Sequence, residues 1–147
     1  MSEQAAAPGL PRMRPALHIL TLGVDDLSRA LAFYRDGLGL SAPELKEGDD
    51  HVALSLQGNL SLVLYPRAEL ARATRQPESV KGPPAAILSH AVATREEVDA
   101  ILQRARSAGG TVPVPASEQP WGYFGYFQDP DGHTWEVLWH PELATGA

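Results

Sequence analysis

No cysteine occurs among the 147 residues of the chain. That absence excludes a disulfide framework, a thiolate zinc site and a cysteine nucleophile, and it makes the cytoplasm the expected location. Positive charge is also scarce: Lys and Arg number 12 against 18 Asp and Glu, for a net charge of −6. The basic residues are scattered, so no nucleic-acid surface is expected. No apolar run approaches the ~18 residues that a transmembrane helix requires, and no membrane partner is expected. The opening stretch MSEQAAAPGLPRMRP lacks the apolar core of a secretory signal. Pro8, Pro11 and Pro15 oppose regular structure there, and residues 1–15 are expected to form a disordered lead-in. The chain has no P-loop, no dinucleotide fingerprint and no G-x-S-x-G elbow.

Aromatics, by contrast, are concentrated in one stretch, WGYFGYFQDPDGHTWEVLWHP, from Trp121 to Pro141. Asp129-Pro130-Asp131-Gly132 is turn chemistry between two strands. The second strand, Thr134 to Trp139, carries one acid, Glu136, among Trp135, Val137, Leu138 and Trp139. A carboxylate in such a strand is costly unless it is hydrogen-bonded, paired, coordinated or protonated.

The remaining elements follow in order. Ala16 to Val24 reads as a strand, and Asp25-Asp26 as a helix start with favourable charge and capping groups. Leu27, Leu31, Tyr34 and Leu38 recur at helical spacing over Leu27 to Leu38. Ala42 to Lys46 is expected as a short edge strand. His51 to Leu56 and Leu60 to Tyr65 read as a hairpin. Pro66 to Pro84 reads as a connector or lid, with room for a helical turn at Glu69 to Arg75. Ala85 to Ala93 then reads as a strand. Thr94 and Glu97 fit a capping box for a helix over Glu96 to Ala108, and Thr111 to Val114 reads as a short strand. The sequence thus predicts an α+β fold of two paired β-α-β-β-β modules, residues 16–65 and 85–141, forming curved mixed β-sheets around a cleft. Residues 66–84 connect them and 142–147 form a tail.

The repeat and its residues resemble the vicinal oxygen chelate superfamily, which includes glyoxalase I, extradiol dioxygenases, fosfomycin-modifying enzymes and bleomycin-binding resistance proteins. The resemblance is carried by Leu22-Gly23-Val24-Asp25-Asp26-Leu27, Phe33-Tyr34 and Gly37-Leu38-Gly39 in the first half. In the second it is carried by Glu97-Val98-Asp99, Ala108-Gly109-Gly110 and Asp129-Pro130-Asp131-Gly132 leading to Glu136. Trp121-Gly122 and His90 look like a glyoxalase-like subgroup. One such scaffold hosts several chemistries and pure binders.

The resemblance implies a last-strand metal ligand at Glu136. The first-strand position falls at Ile19, with His18 one residue away, and Leu62-Val63-Leu64 offers no ligand. The fifth-strand position falls near Leu88, and His90, two residues on, keeps the same face. In one reading His18, His90 and Glu136 hold a divalent metal (Fe, Zn, Ni or Mn) as a two-His-one-carboxylate triad, with Glu136 catalytic. The preferred reading needs no cofactor: a small organic molecule binds in an apolar cleft with Trp121, Tyr123, Tyr126 and His90 as contacts. A homodimer is expected. The alternatives are a metal-dependent lyase, isomerase or dioxygenase, and a non-catalytic dimeric interaction or regulatory module.

Overall fold

The computed structural model describes residues 9–78 and 83–143. Parts of the expected lead-in, connector and tail therefore lie outside the described residues. The first half opens with β1 (Ile19–Val24). Asp26 then caps α1 (Leu27–Leu31), accepting the Arg29 backbone N–H at 3.1 Å. The helix runs on as a π-helical stretch, Ala32–Gly37, in which the Leu38 N–H reaches back to Phe33 O. Phe33 and Tyr34 are both buried there.

β2 (Val52–Ser55) and β3 (Ser61–Pro66) complete a three-stranded sheet in the order β1-β3-β2. β1 runs parallel to β3, and β2 antiparallel to it. The edge strand expected at Ala42 to Lys46 shrinks to a single bridge between Ser41 and Ser55. Pro43 explains the loss: it has no N–H to give a ladder, and a turn forms instead, with Leu45 N–H on Ala42 O.

β3 leads directly into α2 (Arg67–Thr74), a full helix where the sequence suggested only a turn. It ends at Arg75, which takes a left-handed conformation with φ of 56°. Its first residue, Arg67, is buried.

The second half repeats the order. β4 (Ile87–Ala91) precedes α3 (Arg95–Ser107), and Thr94 Oγ1 accepts the Glu97 N–H at 3.1 Å. β5 (Thr111–Gln119), β6 (Gly122–Gln128) and β7 (Thr134–Trp139) follow. They form a four-stranded sheet in the order β4-β7-β6-β5, with β4 parallel to β7. β5 is longer than the sequence suggested and passes Pro113 and Pro115 with two register shifts. An edge strand tolerates this, because one row of its N–H groups needs no partner.

The alternation of the strands decides what faces what. Leu22, Val24, Val52, Leu54, Leu62 and Leu64 point at α1, and Phe127 and Val137 at α3, in one continuous core. Phe33 and Tyr34 lie 6.1 Å from Phe127 and Trp135 respectively, ring to ring. Both helices therefore lie between the sheets, and each sheet turns its other face outward.

The turn after β6 locks the halves together. Asp129 accepts the Tyr34 hydroxyl at 2.6 Å, and Asp131 accepts the Asp25 N–H at 2.8 Å and Arg29 Nη2 at 2.9 Å. Arg67 Nη2 stands 3.5 Å from Asp131 and its Nε donates to Asp25 at 2.9 Å. His133 Nε2 lies 2.7 Å from Gly23 O.

Candidate functional site

β7 divides its side chains between the two faces. Trp135, Val137 and Trp139 point toward the helices; Glu136 points outward. In register with it stand Ser89 on β4 and Tyr126 on β6. Ser89 Oγ donates to Glu136 Oε1 at 2.8 Å. The Tyr126 phenol stands across from this carboxylate in register; partial desolvation first, then the charge of Glu136, push the phenol above its ordinary value. The carboxylate that is costly in an apolar strand thus accepts one hydroxyl bond, from Ser89, and lies on the outer face beside Tyr126.

A row of rings runs along the same face. Tyr126 meets Phe124 edge-on at 6.1 Å, Phe124 meets Trp121 at 5.9 Å, and Trp121 meets His140 at 5.5 Å. Trp121 is 47% exposed, so one wall of this surface is open. The first sheet's outer face carries Ile19, Thr21, Ala53 and Val63, with Ile19 exposed.

Glu136, Tyr126 and Trp121 therefore share one face, as the ligand reading requires. Tyr123 does not join them: it lies on the helix side, where its hydroxyl donates to Asp99 of α3 at 2.7 Å. That bond is the leading cause of its raised phenol. His90 pairs with Val137 rather than Glu136, so it too faces away from the carboxylate. Strand parity is the reason: the residue across from Glu136 is Ser89, and its neighbour must point the other way. His18 lies just before β1, its carbonyl accepting the Ser61 N–H, and alternation places its side chain with Leu20 rather than Ile19.

The proposed His18–His90–Glu136 triad is thus not assembled within one chain. Among the described residues no three His, Cys, Asp or Glu side chains come together to hold a metal. Beside Glu136 stand the neutral hydroxyls of Ser89 and Tyr126. This donor set does not fit a divalent transition metal, which takes nitrogen, thiolate or several oxygen ligands. Ser89 and Phe124 are the site residues that the sequence reading passed over. Strand parity would have found both, once Glu136 and Tyr126 were placed on one face.

Two sheets with a strand-helix-strand-strand repeat and helices between them are the fold this chain shares with its known structural neighbours. The chain matches the model of the Glyoxalase/Bleomycin resistance protein/Dioxygenase superfamily over residues 16–137, and it belongs to that superfamily. It is 32% identical over 122 residues to an uncharacterized protein of Mycobacterium bovis, covering 79% of this chain and 78% of that one. Among solved structures it resembles a glyoxalase-related enzyme from Fulvimarina pelagi, with a TM-score of 0.78 at 27% identity over 87% of this chain and 90% of that one. It also resembles a lactoylglutathione lyase from Agrobacterium tumefaciens, with a TM-score of 0.64 at 27% identity over 87% and 96% of the two chains. No helix among the described residues is long and apolar enough to cross a membrane.

Proposed function

We propose that the protein binds a small planar or amphipathic organic molecule on the outer face of its four-stranded sheet, without a resident metal. The observation that carries this reading is Glu136, held by Ser89 and in register with Tyr126 at the end of the Trp121–Phe124–Tyr126 ring row. Rings supply apolar contact to a flat ligand, and a carboxylate between hydroxyls orients a donor group on it. Sequestration of a toxic organic compound is one use for such a face.

A homodimer completes the proposal. Ile19 and Ile87, on the outer edges of β1 and β4, are 59% and 48% exposed, and a second copy would cover them and close the ligand face. Light scattering should give about twice the 15.8 kDa chain mass; a monomer up to millimolar concentration would remove this part of the reading.

Screening planar amines, acids and neutral compounds by thermal shift tests the binding, because a ligand that prefers the native state raises its midpoint. Glu136→Gln and Trp121→Ala should each remove the shift. Their unliganded midpoints should stay near that of the wild type, since Trp121 is half exposed and Gln keeps the shape of Glu. Elemental analysis tests the rest. A stoichiometric metal that is lost in Glu136→Gln, together with stability, would overturn the proposal in favour of a metal-dependent lyase, isomerase or dioxygenase.

A further inference from the structure

A second cavity lies at the β4 edge of the four-stranded sheet, lined from the helix side by Phe127, Trp135 and Val137 and reaching Ser89 on the edge strand. It has a volume of about 530 Å³ and sits between the two halves, among Leu40, Leu56, Ile101, Trp135 and Val137. Small-molecule pockets span roughly 300–1,000 Å³ and pair apolar walls with a few convergent polar groups. The polar groups of the lining are Arg104 on α3, Ser89 and His90 on β4, Ser55 on β2 and Gln57 just after it, and Arg104 supplies a fixed positive charge.

Arg104 carries five N–H donors. Among the described residues it makes a single hydrogen bond, Nη1 to Gly37 O at 3.3 Å, which draws the guanidinium from α3 toward the end of the α1 segment. None of the ion pairs among the described residues involves it. A surface arginine without a carboxylate is ordinary. One bridging the mouth of an apolar cavity, with an imidazole on the same lining, is arranged to receive an anion.

We propose that this inter-module cavity is a second binding site, for an apolar molecule bearing one carboxylate. The hydrocarbon lies on Trp135, Val137, Leu40 and Leu56, and the carboxylate reaches Arg104 in a charge-assisted, two-pronged bond. The size of the cavity, its apolar walls and the sign of its charge all select this class. The proposal does not rest on the Glu136 face: Ser89 borders both, but Glu136, Tyr126, Phe124 and Trp121 take no part in this lining.

The test uses the full-length protein with octanoate, octanol and octyltrimethylammonium, chains of one length and different heads. Calorimetric titration should detect octanoate and give at least tenfold weaker binding of the other two. Arg104→Gln should weaken octanoate at least tenfold and leave octanol unchanged, and Arg104→Lys should recover part of the loss. Glu136→Gln should leave octanoate affinity unaltered. Equal binding of octanoate and octanol, or an Arg104→Gln protein that binds octanoate normally, would overturn the proposal. So would loss of octanoate binding in Glu136→Gln, which would move the ligand to the other face. An octanoate effect that tracks a change of mass in light scattering would assign the cavity to a contact between copies and overturn it as well.

Discussion

Replacing Asp131 by Asn should destabilise the protein more than any surface charge change. Asp131 is 2% exposed, and its Oδ1 receives the Asp25 N–H and Arg29 Nη2, with Arg67 Nη2 at 3.5 Å. Arg67 is itself buried, its side chain 7% exposed. Asn keeps the shape but removes the charge, leaving a buried guanidinium short of a counter-charge. Its NH₂ has no good place either. Turned toward the donors it repels them, and at the Oδ2 position it replaces an oxygen that makes no hydrogen bond among the described residues. Breaking a buried pair by removing one member costs ~3–5 kcal/mol. Asp25 also contacts Arg67 and softens the loss, so the low end, about 3 kcal/mol, is expected. For a chain of this size that lowers Tm by roughly 6–12 °C. Urea unfolding followed by tryptophan fluorescence should give a lower midpoint with the slope unchanged. Asp36→Asn is the control: its pair with Arg35 is open to water and its loss should barely move the midpoint. An Asp131→Asn protein within about 0.5 kcal/mol of wild type would refute the claim that this turn clamps the two halves.

Tyr34 should set an alkaline limit. Burial first, then the charge of Asp129, raise its phenol well above 10.0, so its contribution to stability is intact below pH 10 and is lost as pH rises toward the folded value. Urea midpoints from pH 8 to 11 should fall above pH 10, and Tyr34→Phe should flatten that fall; an identical slope in the variant would sink the assignment. Gly125→Ala should cost about 1–3 kcal/mol, because an added Cβ would meet Val114 O at 2.7 Å and Ala116 N at 2.8 Å, and backbone cannot step aside. A chemical melt unchanged by that substitution would contradict the close β5–β6 approach. Tyr126→Phe should leave stability nearly unchanged but weaken any ligand that depends on Glu136, which calorimetry would read directly.

Much of the fold was legible because its signals are local. Leu27, Leu31 and Tyr34 repeat at helical spacing, Thr94 and Glu97 mark the start of α3, and the Asp129–Gly132 turn separates β6 from β7. What escaped was set at a distance. α2 is anchored at Arg67 by the Asp25 carboxylate, 42 residues away, and the Asp131 backbone carbonyl, 64 residues away, which no window around Arg67 contains. The prolines in β5 argue against a strand until its place at the sheet edge is known. Tyr123 looked like a ligand contact by composition, but the strand turns it to Asp99 instead.

The metal question turns on one residue of register. β4 pairs Ser89 with Glu136 and His90 with Val137. A slip by one would set an imidazole beside the carboxylate, a pair suited to a metal, in place of a hydroxyl that donates to it. The register is well pinned. Val92 N–H bonds Leu138 O at 2.9 Å at the end of the ladder, and Val92 is buried in the core. Slipping β4 would turn Leu88 outward along with the rest of its inner face, so the backbone resists it as a whole. Glu136 is fixed from the other side too. Asp129 takes the N–H groups of Asp131 and His133 at 2.9 Å each, which shapes the turn, and Asp131 ties that turn to the first half. The network that joins the modules therefore also sets where Glu136 stands, and the parity of β4 gives it a serine for a neighbour. That fixed position, beside the Ser89 hydroxyl and the ring row, is the geometry on which the proposed binding role of Glu136 stands.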